Sequence, residues 1–196
     1  MVVNDMAADH TSENEVMEAL RASGAFLSGH FQLSSGRHSD AYVEKFNLLQ
    51  WPQYTELVCR KMAEWGRDFT PRTVAGPTTG GVLLAYEVGR QLGLRGIFAE
   101  RAPEGGRSFQ RDFRLEPGER VMVVDDITST GEAVVDTIEA VRKAGGEPVC
   151  AAVIVDRSGG KIDVGVPLFA TTEITMQTWA PEECPLCPQG VPLKIT

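Results

Sequence analysis

Two adjacent carboxylates, Asp125 and Asp126, follow the apolar run Val121-Met122-Val123-Val124 and precede Ile127-Thr128-Ser129-Thr130-Gly131. The Val-rich run reads as a strand buried on both faces of a parallel sheet. Carboxylates at the C-terminal end of such a strand stand where open α/β sheets place their ligands. The hydroxyl-bearing loop leads into a helical pattern from Glu132, so its backbone N–H groups and Ser/Thr hydroxyls form a cradle for a phosphate. The carboxylates would repel that phosphate directly. They suit a ligand that brings neutral hydroxyls and a bound Mg²⁺ beside it, which describes a ribose 5-phosphate.

Three further groupings carry chemistry. Gly76-Pro77-Thr78-Thr79-Gly80-Gly81 sits at a strand end and opens a helix, and glycine there lets backbone amides approach an anion closely. Val155-Asp156-Arg157 closes the last long strand, offering a forked guanidinium that matches a planar carboxylate. Cys184-Pro185-Leu186-Cys187 is a lone C-x-x-C pair. A structural zinc needs four ligands, so this pair needs Cys or His from elsewhere, in this chain or a second subunit.

The elements that must position these groups alternate. Residues 13–23 form an amphipathic pattern with Val16, Ala19 and Leu20 on the apolar side, stopped by Gly24. A hairpin is expected around Ser35-Gly36, and Pro52 opens a helix reaching about Trp65. Strands at 73–75, 96–99, 120–124, 148–155 and 168–171 alternate with helices at 82–92 and 132–144. The long segment 100–119 interrupts them, with Glu104-Gly105-Gly106 as the turn of an arm and Arg111 on its return strand. Such alternation implies an α/β fold with a central parallel sheet flanked by helices. The expected organisation is one domain over 1–196, with a small N-terminal hood in 1–45 and an irregular, Pro-rich tail in 176–196.

Composition narrows the function classes. The chain has 196 residues, enough for a substantial core. Its net charge of −8 argues against a nucleic-acid surface. No apolar stretch is long enough to span a membrane, and residues 1–14 are polar without a signal-type apolar region, so a cytoplasmic location is expected. Four cysteines do not make a disulfide scaffold at this length, and Cys59 and Cys150 fall in apolar patterns as buried thiols.

With these pieces placed, the chain resembles the orotate phosphoribosyltransferase family of type I phosphoribosyltransferases over roughly residues 13 to 175. The strand-acid-acid-loop segment resembles the superfamily's motif for phosphoribosyl diphosphate (PRPP). The segment Leu33-Ser34-Ser35-Gly36-Arg37-His38-Ser39, followed by Tyr42, resembles the family's hood over the base. The resemblance implies the following roles. Asp125 and Asp126 hold the ribose hydroxyls, directly or through water on Mg²⁺. Ile127, Thr128, Ser129, Thr130 and Gly131 seat the 5-phosphate, and Thr78, Thr79 and Gly80 form the pyrophosphate loop. Ser34, Tyr42, Val43, Ser129 and Arg157 take the base, Arg157 and Ser129 at its carboxylate. The implied substrates are PRPP and orotate, the implied cofactor is Mg²⁺ carried mainly by PRPP, and the implied assembly is a homodimer with shared active sites, without nucleic acid or membrane.

The chain departs from the family pattern in its arm. The family's mobile loop carries a motif of the form R-K-x-x-K-x-H-G, whereas Glu100-Arg101-Ala102-Pro103-Glu104-Gly105-Gly106-Arg107-Ser108-Phe109-Gln110-Arg111 has neither Lys nor His. Two other frequent family lysines are replaced by Ser34 and Gly80. Arg101, Arg107 and Arg111 are therefore expected to supply the catalytic positive charge, since Arg does this without losing a proton. A phosphoribosyltransferase for another base and a non-catalytic PRPP-binding regulator are the competing readings. Arg157 speaks against uracil or a purine, and the absence of a basic face or added domain speaks against a DNA-bound regulator.

Overall fold

The computed structural model describes residues 10–196, with side chains from Glu15 onward; most of the polar segment 1–14 lies outside those described residues. The elements in chain order begin with α1 (His10–Ala22), β1 (Phe26–Gln32), β2 (His38–Val43), α2 (Lys45–Leu49) and α3 (Pro52–Gly66). They continue with β3 (Thr73–Pro77), α4 (Gly80–Leu92), β4 (Arg95–Arg101), β5 (Arg107–Phe109), β6 (Arg120–Thr128) and α5 (Glu132–Lys143). Last come β7 (Glu147–Asp156), β8 (Leu168–Glu173), β9 (Thr178–Trp179) and β10 (Leu193–Ile195).

The main sheet has the order β5-β4-β3-β6-β7-β8 and is parallel except for the edge strand β5. Its central strand shows why the run 121–124 had to be apolar throughout. Val121 and Val123 pack on one face with Ile138 and Val141 of α5. Met122 and Val124 pack on the other with Leu20, Met62 and Leu84 of α1, α3 and α4. Successive side chains alternate faces, and helices cover both. The helix boundaries follow local chemistry: Pro52 stands at the first turn of α3, and Gly93 closes α4 in the left-handed conformation at φ 71°.

The order of the strands places the site. From β3 the chain winds through α4 outward to β4, and then returns to lay β6 on the other side of β3. The C-terminal ends of β3 and β6 therefore flank a topological switch point, where a crevice opens. The second sheet, β10-β1-β2-β9, is the expected hairpin enlarged by two short strands. Those strands correct the expectation of an irregular tail. Each adds only a few ladder bonds to an edge of the hairpin, too short to show as period-2 alternation. Among the described residues, no helix is long and apolar enough to cross a membrane.

Candidate active site

Asp125 and Asp126 stand near the C-terminal end of β6 with 5% and 4% of their surface exposed. Burying two carboxylates side by side is costly unless each is hydrogen-bonded. Asp125 Oδ1 accepts the Asp126 amide at 2.8 Å, and Asp126 Oδ1 accepts the Ile127 amide at 2.7 Å. Lys45 Nζ, at the start of α2, donates to the same Asp126 oxygen at 3.1 Å. Burial, and then the neighbouring Asp126 charge, raise the Asp125 carboxyl to about 7, against the opposing pull of its hydrogen bond, Lys45 and Arg107.

Beyond the carboxylates the chain forms a cradle. Thr128 Oγ1 accepts the Gly131 amide at 3.1 Å, which folds 128–131 into a tight turn. Gly131 caps α5 at φ 82°, a left-handed conformation that favours glycine. Ser129 and Thr130 are left exposed at the helix N-terminus. They face a cleft of about 170 Å³ whose lining also includes Thr128, Gly131, Arg101 and Arg107. The cleft sets helix N–H groups and hydroxyls, which suit an anion, beside two guanidinium groups, with Glu132 and Asp136 also in its lining.

The two arginines come from the arm. Arg101 and Arg107 are cross-strand partners in the β4–β5 hairpin, whose turn is closed by Gly105 N–H donating to Ala102 O at 3.0 Å. Arg107 is 8% exposed, and its Nη1 donates to Ala99 O at 3.3 Å and to Thr78 O at 3.4 Å. Burial lowers the pKa of this guanidinium, while Asp125 favours its charge. Arg111 is different. β5 ends at Phe109, and the chain leaves through left-handed backbone at Arg111 and Asp112, φ 60° and 58°. Its guanidinium pairs with Glu100 at 3.0 Å, largely exposed, and it is not among the residues lining the cleft. The return strand thus carries Arg107, and the expectation that Arg111 lies on it is corrected.

The loop 76–81 packs directly against Asp126. A Cβ on Gly76 would collide with the Gly81 carbonyl, and a Cβ on Gly80 would collide with Asp126 Oδ2. Thr78 is held by its amide donating to Ala99 O at 3.0 Å, and Thr79 caps α4, which begins two residues earlier than its sequence pattern suggests. A side chain at position 80 would therefore require the Asp126 carboxylate to shift.

On the opposite side, Arg157 follows β7. Its amide donates to Thr128 O at 2.8 Å, tying it to the cradle. Asp156, 3% exposed, accepts the Ser158 and Gly160 amides at 2.6 and 3.2 Å and closes the turn that carries Arg157. The Arg157 Nε is buried and makes no hydrogen bond within the described residues. Burial lowers its pKa, and Tyr42 of the hood is the neighbour acting in the opposite direction. Alternation along β2 turns Tyr42 away from the face that buries Ala41 and Val43. Val43 is 3% exposed and packs its side chain with the main core. Ser34 lies exposed at the hairpin tip, where Leu33 N–H donates to Arg37 O at 2.8 Å.

Lys45 and Asp156 are functional candidates that the motifs missed. Lys45 had a usable signal, being one of only five lysines and lying just past the hood hairpin. Asp156 stood in the Val155-Asp156-Arg157 grouping without a role of its own, because Asp at a strand end is also an ordinary turn residue.

Comparison with known proteins agrees with this geometry. A family model described as "Phosphoribosyl transferase domain" matches residues 46–186. The orotate phosphoribosyltransferase of Desulforamulus reducens is 44% identical over 92% of this chain and 94% of its own length. That of Pelotomaculum thermopropionicum is 46% identical over 92% and 95%. The crystal structure of orotate phosphoribosyltransferase from Aeropyrum pernix superposes with a TM-score of 0.70 at 29% identity, covering 81% of this chain and 93% of that one.

Proposed function

The chain belongs to the orotate phosphoribosyltransferases, and from that membership we propose that it transfers the 5-phosphoribosyl group of PRPP to orotate in pyrimidine biosynthesis. The products are orotidine 5′-monophosphate and pyrophosphate. The observation that carries the choice of base is Arg157, whose backbone amide is fastened to the phosphate cradle and whose buried Nε has no hydrogen-bond partner among the described residues. A carboxylate-bearing base satisfies such a group; a neutral base leaves it orphaned.

In this reading the 5-phosphate sits on the N-terminus of α5, with Thr128 and Thr130 supplying hydroxyls. Asp125 and Asp126 accept hydrogen bonds from the ribose hydroxyls and orient C1 of the sugar. The pyrophosphate lies along Thr78, Thr79 and Gly80, with Arg101 and Arg107 above it. Orotate enters under the hood with its carboxylate on Arg157 and the Ser129 hydroxyl, and its N1 displaces pyrophosphate at C1, the N1 proton leaving with the pyrophosphate. As positive charge develops on the sugar, the buried carboxylates stabilise it. As negative charge collects on the leaving group, Arg101 and Arg107 stabilise that. No covalent nucleophile is needed, and positioning with electrostatics carries the rate.

The donor set also fits Mg²⁺. Burial, and then the neighbouring Asp126 charge, raise Asp125, and a hard cation taking oxygen ligands would favour its charged form against both. Asp125 and Asp126 would hold it through water or through the sugar hydroxyls, and its chemistry there is to offset charge on the departing pyrophosphate. A homodimer is supported by large apolar side chains left exposed on α2, just before α3 and on α4: Phe46, Trp51, Leu83 and Tyr86 are 42%, 48%, 45% and 68% exposed.

The test follows orotate loss by absorbance with PRPP and Mg²⁺, comparing wild type with Arg157→Ala. Turnover by wild type with loss in the variant supports both the base and its carboxylate partner. Calorimetric binding of PRPP without orotate turnover sinks the reading in favour of another base or a PRPP sensor.

A further inference from the structure

His30, His38, Cys184 and Cys187 converge in the hood, one ligand-type atom from each lying within 4.8 Å of all the others. The proposed reaction uses none of them. His30 Nε2 stands 3.3 Å from Cys184 Sγ, 3.7 Å from Cys187 Sγ and 2.9 Å from His38 Nδ1, and Cys187 Sγ stands 3.4 Å from His38 Nδ1. In a tetrahedral zinc site with Zn–N of ~2.0–2.1 Å and Zn–S of ~2.3 Å, neighbouring ligand atoms lie roughly 3.3–3.8 Å apart. The two histidines and Cys184 are buried, Cys187 is at the surface, and both thiols are free.

Hydrogen bonding also aims the ligands. His30 Nδ1 is 2.9 Å from Val191 O, a carbonyl that can only accept, so the ring proton sits on Nδ1 and Nε2 presents a bare lone pair to the cluster. A carbonyl holding the outer nitrogen is the usual support of a metal-binding histidine. One lone pair cannot serve the two thiols and the second imidazole at once. A single cation at the centre satisfies all four groups.

The backbone is shaped to bring them together. The register of β1 against β2 shifts between Ser28 and Phe31, and His30 and Phe31 are both buried although adjacent in a strand. Such a bulge re-aims a side chain. β9 pairs with β2 on one edge of the hood sheet and β10 pairs with β1 on the other. The segment between them therefore crosses the hairpin as a strap, and that strap carries the C-x-x-C pair. Two of its fastenings are strands of two and three residues, too short to hold a small sheet unaided.

We propose that this chain binds one thiophilic divalent cation, Zn²⁺ by ligand type, in a closed His₂Cys₂ site that staples the C-terminal strap across the hood hairpin. All four ligands come from one subunit, His30 and Cys184 being 154 residues apart in sequence. A site with four protein ligands keeps no open position, so its role is structural. The staple holds the strand that carries Tyr42.

The decisive experiment is metal analysis of the full-length protein produced in zinc-supplemented medium, beside Cys187→Ser, chosen because Cys187 is exposed. The expected result is about one zinc per wild-type chain, with affinity lowered roughly 100-fold or more in the variant. Replacement by Co²⁺ should give a tetrahedral visible spectrum with thiolate-to-metal charge transfer, lost in Cys187→Ser. X-ray absorption at the zinc edge of wild type should report two sulfur and two nitrogen neighbours, and this readout stands even if the variant fails to fold. Zinc far below one equivalent after equilibration with the metal, a first shell without sulfur, or a Cys184–Cys187 disulfide in the freshly purified protein would each overturn the proposal. None of these readouts depends on phosphoribosyl transfer.

Discussion

Lys45 Nζ lies 3.1 Å from Asp126 Oδ1, joining the first residue of α2 to the second carboxylate at the end of β6. The contact makes the hood side of the crevice and the sheet one electrostatic unit, because Lys45 also holds down the pKa of Asp125. Lys45→Met should leave the fold intact, since the lysine is about one-third exposed. The acidic limb of the pH profile of kcat/KM should move to higher pH, with the KM for PRPP up about tenfold, roughly 1.4 kcal/mol. An unshifted limb would mean that Lys45 merely closes a surface ion pair.

The elevated Asp125 carboxyl has a consequence for stability. The folded protein retains this proton up to about pH 7, whereas the unfolded chain releases it near ~3.9. The associated stabilisation is complete below the unfolded value and is lost as pH rises through the folded value. Asp125→Asn keeps an acceptor for the Asp126 amide and removes the titration. In the absence of PRPP and Mg²⁺, the variant's advantage in unfolding free energy should therefore grow from pH 5 to pH 8, on the order of 1–3 kcal/mol at the upper end, as denaturant melts would report. A constant difference across that range would refute the assignment.

Arg157 should separate charge from geometry. Arg157→Ala removes the carboxylate partner and is expected to lower kcat/KM for orotate about 100-fold, roughly 2.7 kcal/mol. Arg157→Lys keeps the charge but not the fork, and should recover only part of that loss. The Kd for PRPP, measured by calorimetry, should hardly change in either variant.

The two arm arginines are expected to differ. Arg107 is buried and donates to the carbonyls of Thr78 and Ala99. Arg107→Ala should therefore both slow the reaction and destabilise the fold by about 1–3 kcal/mol, a fall of several degrees in Tm. Arg101 is exposed at the cleft rim, so Arg101→Ala should lower kcat with an unchanged melt. Arg111→Ala, which removes only the pair with Glu100, should leave kcat near that of wild type. Steady-state kinetics with parallel thermal melts distinguish the three.

Local pattern already determined much of this protein. The apolar run 121–124 could only be a strand covered on both sides, and the loop after it, with Gly131, could only open a helix. The acid pair, the phosphate cradle and the strand–helix alternation are contiguous in sequence, so nearest-neighbour chemistry specified them. Arg107 could be named as a cation, but which arginine shares the β4–β5 ladder depends on where the turn closes. Val43 could be named as hood, but its face depends on the register of β2.

What only the tertiary structure decided are the pairings between distant residues. Lys45 meets Asp126 across 81 positions of sequence, and Gly80 lies against that same carboxylate because the loop after β3 runs beside it. The C-x-x-C pair was half a ligand set until the strap carried it to His30 and His38 of the same chain. Short-range propensity does not encode such contacts. They arise when strand order and sheet edges bring remote segments within a few ångströms, where burial forces each polar group to find a partner.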